Sequence, residues 1–214
     1  MTHALHCFGE SGNACKAALA LRLAGLDWTP RFVDFFAGAA RSSAFRALNP
    51  MGEVPVLETA DGQVLTQSGV IQAWIMDETG LLCGDGSPAT RREILRWTIF
   101  DNQKVSGLGG PLRFQMNFLA KDKRVPEVIA FLSGRFHAAL EVLEGELAAR
   151  PWLVGDRLTC ADISACGYLF YPEPFTFERA DHPAIDAWLT RIAATPGWAH
   201  PYDLMPRAFP PGPR

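Results

Sequence analysis

Two short stretches of this chain contain residue types that can bind a short acidic peptide. The first is 49–57, an Asn-Pro turn followed by an apolar strand whose second residue is Pro55. Because proline removes a donor from the strand ladder, we expect Val54 to keep its N–H and C=O for another partner. The bond between Val54 and Pro55 is a candidate for the cis isomer. The second stretch opens a helix at Gln67 and Ser68, and such an N-terminus suits a carboxylate.

Composition excludes several classes of function. The chain has 214 residues, 48% of them apolar, and its net charge of −3 gives no sign of a nucleic-acid partner. It has no apolar run of about 18 residues and no secretory signal, so we expect a cytoplasmic protein that does not enter a membrane. The five cysteines show neither CxxC nor Cys/His metal spacing, which predicts reduced, mostly buried thiols and no metal site.

The elements that must position these residues alternate between strands and helices in the first 80 residues. Their predicted order is a strand (4–8), a helix (14–24), a strand (28–36), a short helix (43–48), a hairpin (54–58 and 63–66) around Asp61-Gly62, and a helix that opens at 67–68 and ends at Gly80. A βαβ unit followed by a ββα unit predicts a mixed four-stranded sheet with helices on its faces.

The rest of the chain has helical patterns. A helical region follows residue 90 as far as about residue 150, with interruptions predicted at 107–111 and 121–123. Thr159 and Asp162 have the spacing of a capping box. The last helix covers 183–194, and the Pro-rich end is expected to be a surface extension. These patterns divide the chain into a first domain (1–80), a linker (81–89), an all-helical domain (90–200) and a Pro-rich tail (201–214).

The ordered set of motifs resembles the glutathione S-transferase superfamily over almost the whole chain. The βαβ-ββα order with Val-Pro at the third strand is similar to its thioredoxin-like domain, and 49–55 resembles the loop before its cis-proline. Gln67 and Ser68 resemble the pair that binds the γ-glutamyl end of glutathione. Residues 11–16 resemble the Ser/Thr-x-Asn motif of bacterial branches, similar to nu- and theta-like ones. The resemblance implies a thioredoxin-like α/β domain followed by an all-α domain.

The resemblance also implies a role for two residues at the start of the first helix. Ser11 and Asn13 are ordinary helix-capping residues, which is the commoner function of such side chains. In these transferases the hydroxyl and the amide donate to the sulfur of glutathione, whose thiol has a pKa near 8.5 like free cysteine. Donation to sulfur beside a helix N-terminus favours the nucleophilic thiolate. The same resemblance gives Val54, Gln67 and Ser68 the binding of the peptide.

Glu53 departs from the pattern of the family. Many relatives have Lys, Arg or Gln at this position, close to the glycine carboxylate of glutathione, and a carboxylate there would repel the ligand. It must turn outward or be compensated by a base, for which Lys16, Arg41 and Arg135 are the candidates. Asp101 is a further candidate that would help to hold the γ-glutamyl amine of a partner subunit. These last four residues are also expected to be ordinary surface charges.

The predicted function is transfer of the glutathione thiolate to an apolar electrophile by a homodimer. The family places the pocket for this second substrate, and part of the subunit contact, on the first helices of the second domain, here Trp97, Phe100, Phe114, Met116 and Phe118. Two alternatives remain open. One is a glutathione-dependent disulfide reductase or peroxidase that uses the same site, and the other is a non-catalytic binding module with the transferase fold.

Overall fold

The computed structural model describes residues 2–209. Its strands are β1 (His3–Cys7), β2 (Trp28–Phe32), β3 (Val56–Glu58) and β4 (Val64–Thr66). Its helices are α1 (Gly12–Leu23), α2 (Ser43–Leu48), α3 (Ser68–Thr79), α4 (Pro88–Phe100), α5 (Ser106–Arg113), α6 (Pro126–Ala149), α7 (Cys160–Ala165), α8 (Pro183–Ala193) and α9 (Pro201–Leu204). Two π-helical turns, Asp101–Val105 and Phe114–Phe118, follow α4 and α5 directly.

The strands form one mixed sheet in the order β2-β1-β3-β4. The pair β1 and β2 is parallel and is connected through α1, whereas β3 is antiparallel to both β1 and β4. Alternation along β1 buries Leu5 and Cys7 completely, and Leu57 lies opposite Leu5 on β3. The predicted βαβ-ββα sheet of a thioredoxin-like domain is therefore confirmed.

Two strands are shorter than their apolar patterns predict. The third strand begins at Val56 rather than at Val54, because Pro55 has no N–H to add to the ladder. The second strand ends at Phe32 rather than at residue 36. Just beyond this end, the N–H of Val33 donates to the carbonyl of Cys7 at 3.0 Å, and Val33 packs with Phe45 and Val56 in a small core. Proline is tolerated within β2 because that strand lies at the edge.

Residues 82–195 form a separate, helical unit. The capping box predicted at its buried helix is present: the Asp162 carboxylate accepts from the backbone N–H of Thr159 at 2.9 Å, and the Thr159 side chain caps α7. Asp162 also accepts from Trp188 Nε1 at 3.0 Å, so one buried carboxylate ties α7 to α8. In the described part of the chain, no helix is long and apolar enough to cross a bilayer.

The interruption predicted at 107–111 is wrong, because these residues lie inside α5. Glycine here serves close packing rather than a turn: a Cβ on Gly109 would lie 3.0 Å from the Phe136 ring, and one on Gly110 would lie 3.0 Å from the Tyr168 hydroxyl. The interruption predicted at 121–123 is confirmed, since a short 3₁₀ turn separates the helical segments there.

The C-terminal segment differs from the expected surface extension. Residues 196–209 belong to the same compact unit as residues 2–81. Pro201 and Leu204 of α9 are buried, as is Met205, and α9 contacts α1. Residues 210–214 of the predicted Pro-rich tail lie outside the described residues.

Candidate functional site

The sheet topology brings three chain segments to one end of the sheet. His6 near the end of β1 lies opposite Val56 at the start of β3, and Val56 lies opposite Thr66 at the end of β4. The segments that continue from these three positions carry Ser11, Val54 and Gln67-Ser68 respectively. The residues that the sequence singled out for thiol activation and peptide binding therefore belong to neighbouring loops of one unit.

The loop before β3 is held by a buried side chain that the sequence reasoning did not assign to the site. Asn49 is fully buried, and its Nδ2 donates to the carbonyl of Glu53 at 2.8 Å, while its Oδ1 accepts from the N–H of Met51 at 3.1 Å. Gly52 has a φ of 65°, and a Cβ there would lie 3.0 Å from the carbonyl oxygen of Ala40. The Asn-Pro turn signal at 49–50 is the sequence feature that could have indicated this arrangement.

Val54 has unpaired backbone groups at this end of the sheet. The Val54–Pro55 peptide bond is cis, as predicted. Val54 is half-buried and lies outside β3. Among residues 2–209, neither its N–H nor its C=O takes part in a hydrogen bond. An extended peptide can therefore pair with this residue as it would with a strand edge.

The N-terminus of α3 offers an anion-binding group. Its N-cap, Gln67, has a φ of 70°, a backbone conformation that costs a non-glycine residue about 1–3 kcal/mol. The carbonyl of Gln67 accepts from the N–H groups of Val70 and Ile71, at 3.1 and 3.0 Å. Within the described chain, the N–H groups of Ser68 and Gly69 donate no hydrogen bond. Two donors, a nearby hydroxyl and the positive end of the helix dipole thus face the same region.

The Glu53 side chain reaches the Gln67 carboxamide. Its Oε2 accepts from Gln67 Nε2 at 3.3 Å, and the same Nε2 lies 2.9 Å from the sulfur of Met51. The side chains of Glu53 and Gln67 are both exposed. The carboxylate that departs from the family pattern therefore lies beside the predicted γ-glutamyl subsite.

Ser11 caps α1, as its ordinary role predicts. Its Oγ accepts from the N–H of Ala14 at 3.2 Å, and the residue is only 7% exposed. A hydroxyl that accepts through a lone pair still has its own proton to donate, so capping and donation to a sulfur are compatible. Asn13 lies half-buried in the first turn of the same helix.

The two cysteines of this region are unsuited to nucleophilic chemistry. Burial raises the pKa of the Cys15 thiol to about 12, although the charge of Lys16 opposes the shift. Burial likewise raises the pKa of Cys7 to about 12, against a backbone hydrogen bond from Arg31. Both thiols are protonated near neutral pH, which agrees with the expectation that they pack in the core.

The candidate charges outside these loops have different surroundings. Lys16 is fully buried within α1, so the expected surface placement is wrong. Asp101 is also fully buried, where it accepts from the hydroxyls of Ser106 and Ser164 at 2.6 and 2.7 Å. Its expected exposure is therefore wrong as well, because two hydroxyls compensate the burial of this carboxylate.

The candidate arginines are exposed, as expected. Arg41 ends a 3₁₀ turn next to Ala40, whose carbonyl approaches Gly52. Arg135 lies on α6 of the second unit, where it lines a cavity of about 330 Å³ with Phe100 and Lys104. A cation that the sequence reasoning missed, Arg46, lies beside the loop before β3: its Nε is 3.6 Å from the Cβ position of Gly52.

The apolar residues predicted for the second substrate lie in the second unit. Trp97 is 2% exposed and belongs to the core. Phe100, Met116 and Phe118 are half-buried, and Phe114 is exposed. In the described residues, no group of three or more His, Cys, Asp or Glu side chains is placed to hold a metal ion.

Comparison with known proteins gives matches over both units. The family model described as glutathione S-transferase, N-terminal domain, matches residues 11–78, and the C-terminal domain model matches residues 115–196. A glutathione S-transferase structure from Xanthobacter autotrophicus is 32% identical with a TM-score of 0.85, and the match covers 94% of this chain and 98% of the other.

Two further matches are to proteins whose names describe a different reaction or a second bound glutathione molecule. A disulfide-bond oxidoreductase from Escherichia coli is 27% identical over 88% of this chain and 89% of the relative. A glutathione transferase structure from Burkholderia graminis, with two glutathione molecules bound per subunit, is 26% identical. Its TM-score is 0.81, with 92% of this chain and 85% of the other covered. The match to both domain models and the identity to a transferase over nearly the whole length establish that this chain is an enzyme of the glutathione S-transferase family.

Proposed function

We propose that this enzyme activates the thiol of glutathione and transfers the thiolate to an apolar electrophile. The observation that carries the proposal is the convergence of three groups at one end of the sheet: the unpaired backbone of Val54, the open N-terminus of α3 and the hydroxyl of Ser11. Glutathione is an extended tripeptide with a carboxylate at each end, so these groups match its shape and charge.

We assign the γ-glutamyl end to the N-terminus of α3. Its carboxylate would accept from the Ser68 hydroxyl and the N–H groups of Ser68 and Gly69, which have no other hydrogen-bond acceptor in the described chain. The γ-glutamyl end also carries an ammonium group. We assign the Glu53 carboxylate and the side-chain carbonyl oxygen of Gln67 as the acceptors for this ammonium group. The two side chains are in contact with each other. In this arrangement Glu53 attracts the ligand instead of repelling it.

The remaining contacts follow from the direction of the peptide. The cysteinyl backbone pairs with the N–H and C=O of Val54, and the glycine carboxylate then points toward the loop before β3. Arg41 and Arg46 are the exposed cations associated with this loop, and we assign the carboxylate to them. Lys16 and Asp101 are not part of this assignment, because both side chains are fully buried.

The chemical step needs a thiolate. The Ser11 hydroxyl donates to the sulfur, and the carboxamide of Asn13 and the N-terminus of α1 add further positive potential. The thiol proton leaves to solvent, the sulfur forms a bond to the electrophilic carbon, and a leaving group such as a halide departs with its bonding electrons. Glutathione is consumed in this reaction and is a substrate, so no separate cofactor is required.

Conjugation of a generic aryl halide tests this function. A hydrogen bond to a charged group contributes about 1.5–3 kcal/mol, so we expect Ser11→Ala to lower kcat/KM about 10- to 100-fold. The matched control is Ser42→Ala, which removes an equivalent helix cap, since Ser42 Oγ accepts from the N–H of Phe45 at 3.2 Å. Equal rates for wild type and Ser11→Ala would contradict the role of Ser11.

Reduction of disulfides by the same site is the second candidate function. The observation in its favour is the similarity to a disulfide-bond oxidoreductase and to a transferase that binds two glutathione molecules per subunit. Calorimetric titration with glutathione disulfide distinguishes the two reactions. Binding of glutathione disulfide, together with reduction of a small disulfide to two thiols while two glutathione molecules are oxidised to glutathione disulfide, supports reduction, whereas absence of disulfide binding leaves conjugation.

We also propose that the enzyme is a homodimer and works in the cytoplasm. None of the five cysteines forms a disulfide, which suits a reducing compartment. The helical unit exposes large apolar side chains on two helices: Leu95 and Ile99 on α4, and Phe131 and Val142 on α6. Exposed apolar side chains in such number are typical of an interface between subunits.

A further inference from the structure

The C-terminal segment contacts the turn that carries Ser11. We call residues 206–209 the strap. The N–H of Gly9 donates to the carbonyl of Pro206 at 2.7 Å. The Glu10 carboxylate accepts from the N–H groups of Ala208 and Phe209, at 2.9 and 3.0 Å, and Arg207 Nε lies 3.5 Å from Glu10 Oε1. The Glu10 side chain is 1% exposed, so this carboxylate is buried among donors from the strap.

The strap also fits closely against the neighbouring residues. A Cβ on Gly9 would lie 3.1 Å from Arg207 Cγ and 3.3 Å from the carbonyl oxygen of Met205, so a side chain there would require the strap to shift by a few tenths of an ångström. The Arg207 guanidinium lies 3.7 Å from the centre of the Tyr202 ring. The Phe209 ring lies 4.6 Å from that of Phe36. The strap is therefore held at several points besides Glu10.

A buried carboxylate is stable only with donors in good geometry, so the orientation of Glu10 depends on the strap. Glu10 is bonded directly to Ser11, whose N–H donates to the carbonyl of Phe8 at 3.1 Å. Displacement of Glu10 would move the backbone of this turn and the Ser11 hydroxyl with it. Misplacement of a catalytic group by about 1 Å can cost 10²-fold in rate.

We propose that Glu10 is a positioning residue, which with the strap holds the Ser11 hydroxyl in place to stabilise the glutathione thiolate. The inference rests on the proposed function, because it gives Ser11 the role assigned there. It adds a requirement that the function alone does not contain: the C-terminal segment takes part in thiol activation without contacting glutathione.

Two variants remove this contact from opposite sides. Glu10→Gln keeps the size of the side chain and removes its charge, and Ala208→Pro removes one of the N–H donors while leaving Glu10 intact. The ultraviolet absorbance of bound glutathione thiolate, followed against pH, measures thiol activation directly. We expect both variants to raise the pKa of the bound thiol by about one unit and to lower kcat about tenfold. Affinity for the protonated thiol, measured at a pH below the pKa of bound glutathione, should change less than about twofold, because Val54 and the N-terminus of α3 are unaffected.

The controls preserve the contact. Ala208→Ser keeps the N–H of residue 208, and Asp203→Ala removes an exposed carboxylate of the same segment; both should titrate like wild type. Hydrogen exchange provides a second readout, in which loss of the strap should increase exchange at the amides of residues 9–14 as well as in the strap.

The outcomes separate this inference from the proposed function. Wild-type protein that fails to bind glutathione overturns the proposed function and the role of Ser11 with it. Normal binding, together with an unchanged thiolate titration in Glu10→Gln and Ala208→Pro, overturns only the role of Glu10. If Glu10→Gln does not fold, Ala208→Pro decides alone, and a wild-type titration for that variant contradicts the proposal.

Discussion

At the scale of single residues, the contact between Glu53 and Gln67 changes the expected electrostatics of the site. A carboxylate near the glycine end of glutathione would oppose binding, whereas a carboxylate beside Gln67 lies where the γ-glutamyl ammonium is proposed to bind. Both side chains are exposed, so solvent screens the interaction, and its contribution is that of a surface ion pair. The sign of the effect is therefore more informative than its size.

We expect Glu53→Gln to weaken glutathione binding about two- to fivefold, because it removes the partner of the ammonium group. The sharper comparison uses a glutathione analogue in which the γ-glutamyl residue lacks its amino group. Wild type and Glu53→Gln should bind this analogue equally, as measured by calorimetry at low ionic strength. Glu78→Gln, which changes an exposed carboxylate near the other end of α3, is the matched control.

The opposite sign would contradict this arrangement. If Glu53 faces the glycine carboxylate, its neutralisation will tighten the binding of glutathione and of the analogue alike. In that case Arg41 or Arg46 is the base that compensates Glu53, and removal of that arginine would weaken the binding of glutathione.

At the scale of elements, one buried carboxylate organises much of the helical unit. Asp162 accepts from the backbone N–H of Leu153 and Thr159, both at 2.9 Å, and from Trp188 Nε1 at 3.0 Å. Burial raises the pKa of Asp162 against the lowering effect of these hydrogen bonds. The carboxylate is thus retained in an apolar environment because a loop, the N-cap of α7 and the helix α8 each direct a donor at it.

Asp162→Ala should destabilise the protein by about 3 kcal/mol, because it removes the capping box and leaves buried donors without an acceptor. Urea unfolding followed by tryptophan fluorescence measures the change. Asp156→Ala, at an exposed neighbouring position, should change the free energy of unfolding by less than about 0.5 kcal/mol. A loss for Asp162→Ala as small as this control would show that Asp162 does not organise the packing.

Local sequence signals predicted the elements whose causes are themselves local. The Thr159–Asp162 spacing, the Asp61-Gly62 turn and the proline at 55 each specify a conformation through their own side chains, and the corresponding structures are present. The helix through 107–111 was missed because glycine and proline read as a break. Two of these glycines, Gly109 and Gly110, pack closely against the side chains of Phe136 and Tyr168, which come from distant parts of the sequence.

The site shows the same division. Val54, Gln67 and Ser68 lie in segments whose turn and helix signals are visible in the sequence. Their place at one end of the sheet agrees with the predicted order of elements. Glu10 was not predicted, because its donors lie almost 200 residues away at Ala208 and Phe209. No local pattern distinguishes such a carboxylate from an exposed one.

At the scale of the whole molecule, the chain closes its first unit with its last described residues. Residues 2–81 and 196–209 form one unit, and residues 82–195 form the other, so the helical unit is an insertion between two parts of the first. Changes near the C-terminus can therefore affect the first unit through contacts within that unit. The helix α9 of the C-terminal segment contacts α1 within this unit.

The apolar face of the helical unit leads to a prediction about assembly. Leu95 and Ile99 are 55% and 48% exposed and lie four residues apart on α4, so they share one face of that helix. Phe131 on α6 is 62% exposed. Exposure of such side chains is unfavourable in water, at roughly 25 cal/mol per Å² of apolar surface, unless a second subunit covers them.

We expect wild-type protein to sediment as a dimer and the double variant Leu95→Glu, Ile99→Glu to sediment as a monomer, because each introduced carboxylate would be buried without a partner at the interface. Analytical ultracentrifugation over a range of protein concentrations measures the change. Val64→Glu is the control, since Val64 is a 44% exposed apolar residue on β4 of the other unit. A wild-type monomer, or a double variant that remains dimeric, would show that this face is not the interface. Because the proposed glutathione contacts all lie within the first unit, the monomeric variant should still bind glutathione, and calorimetry on the same sample separates assembly from ligand binding.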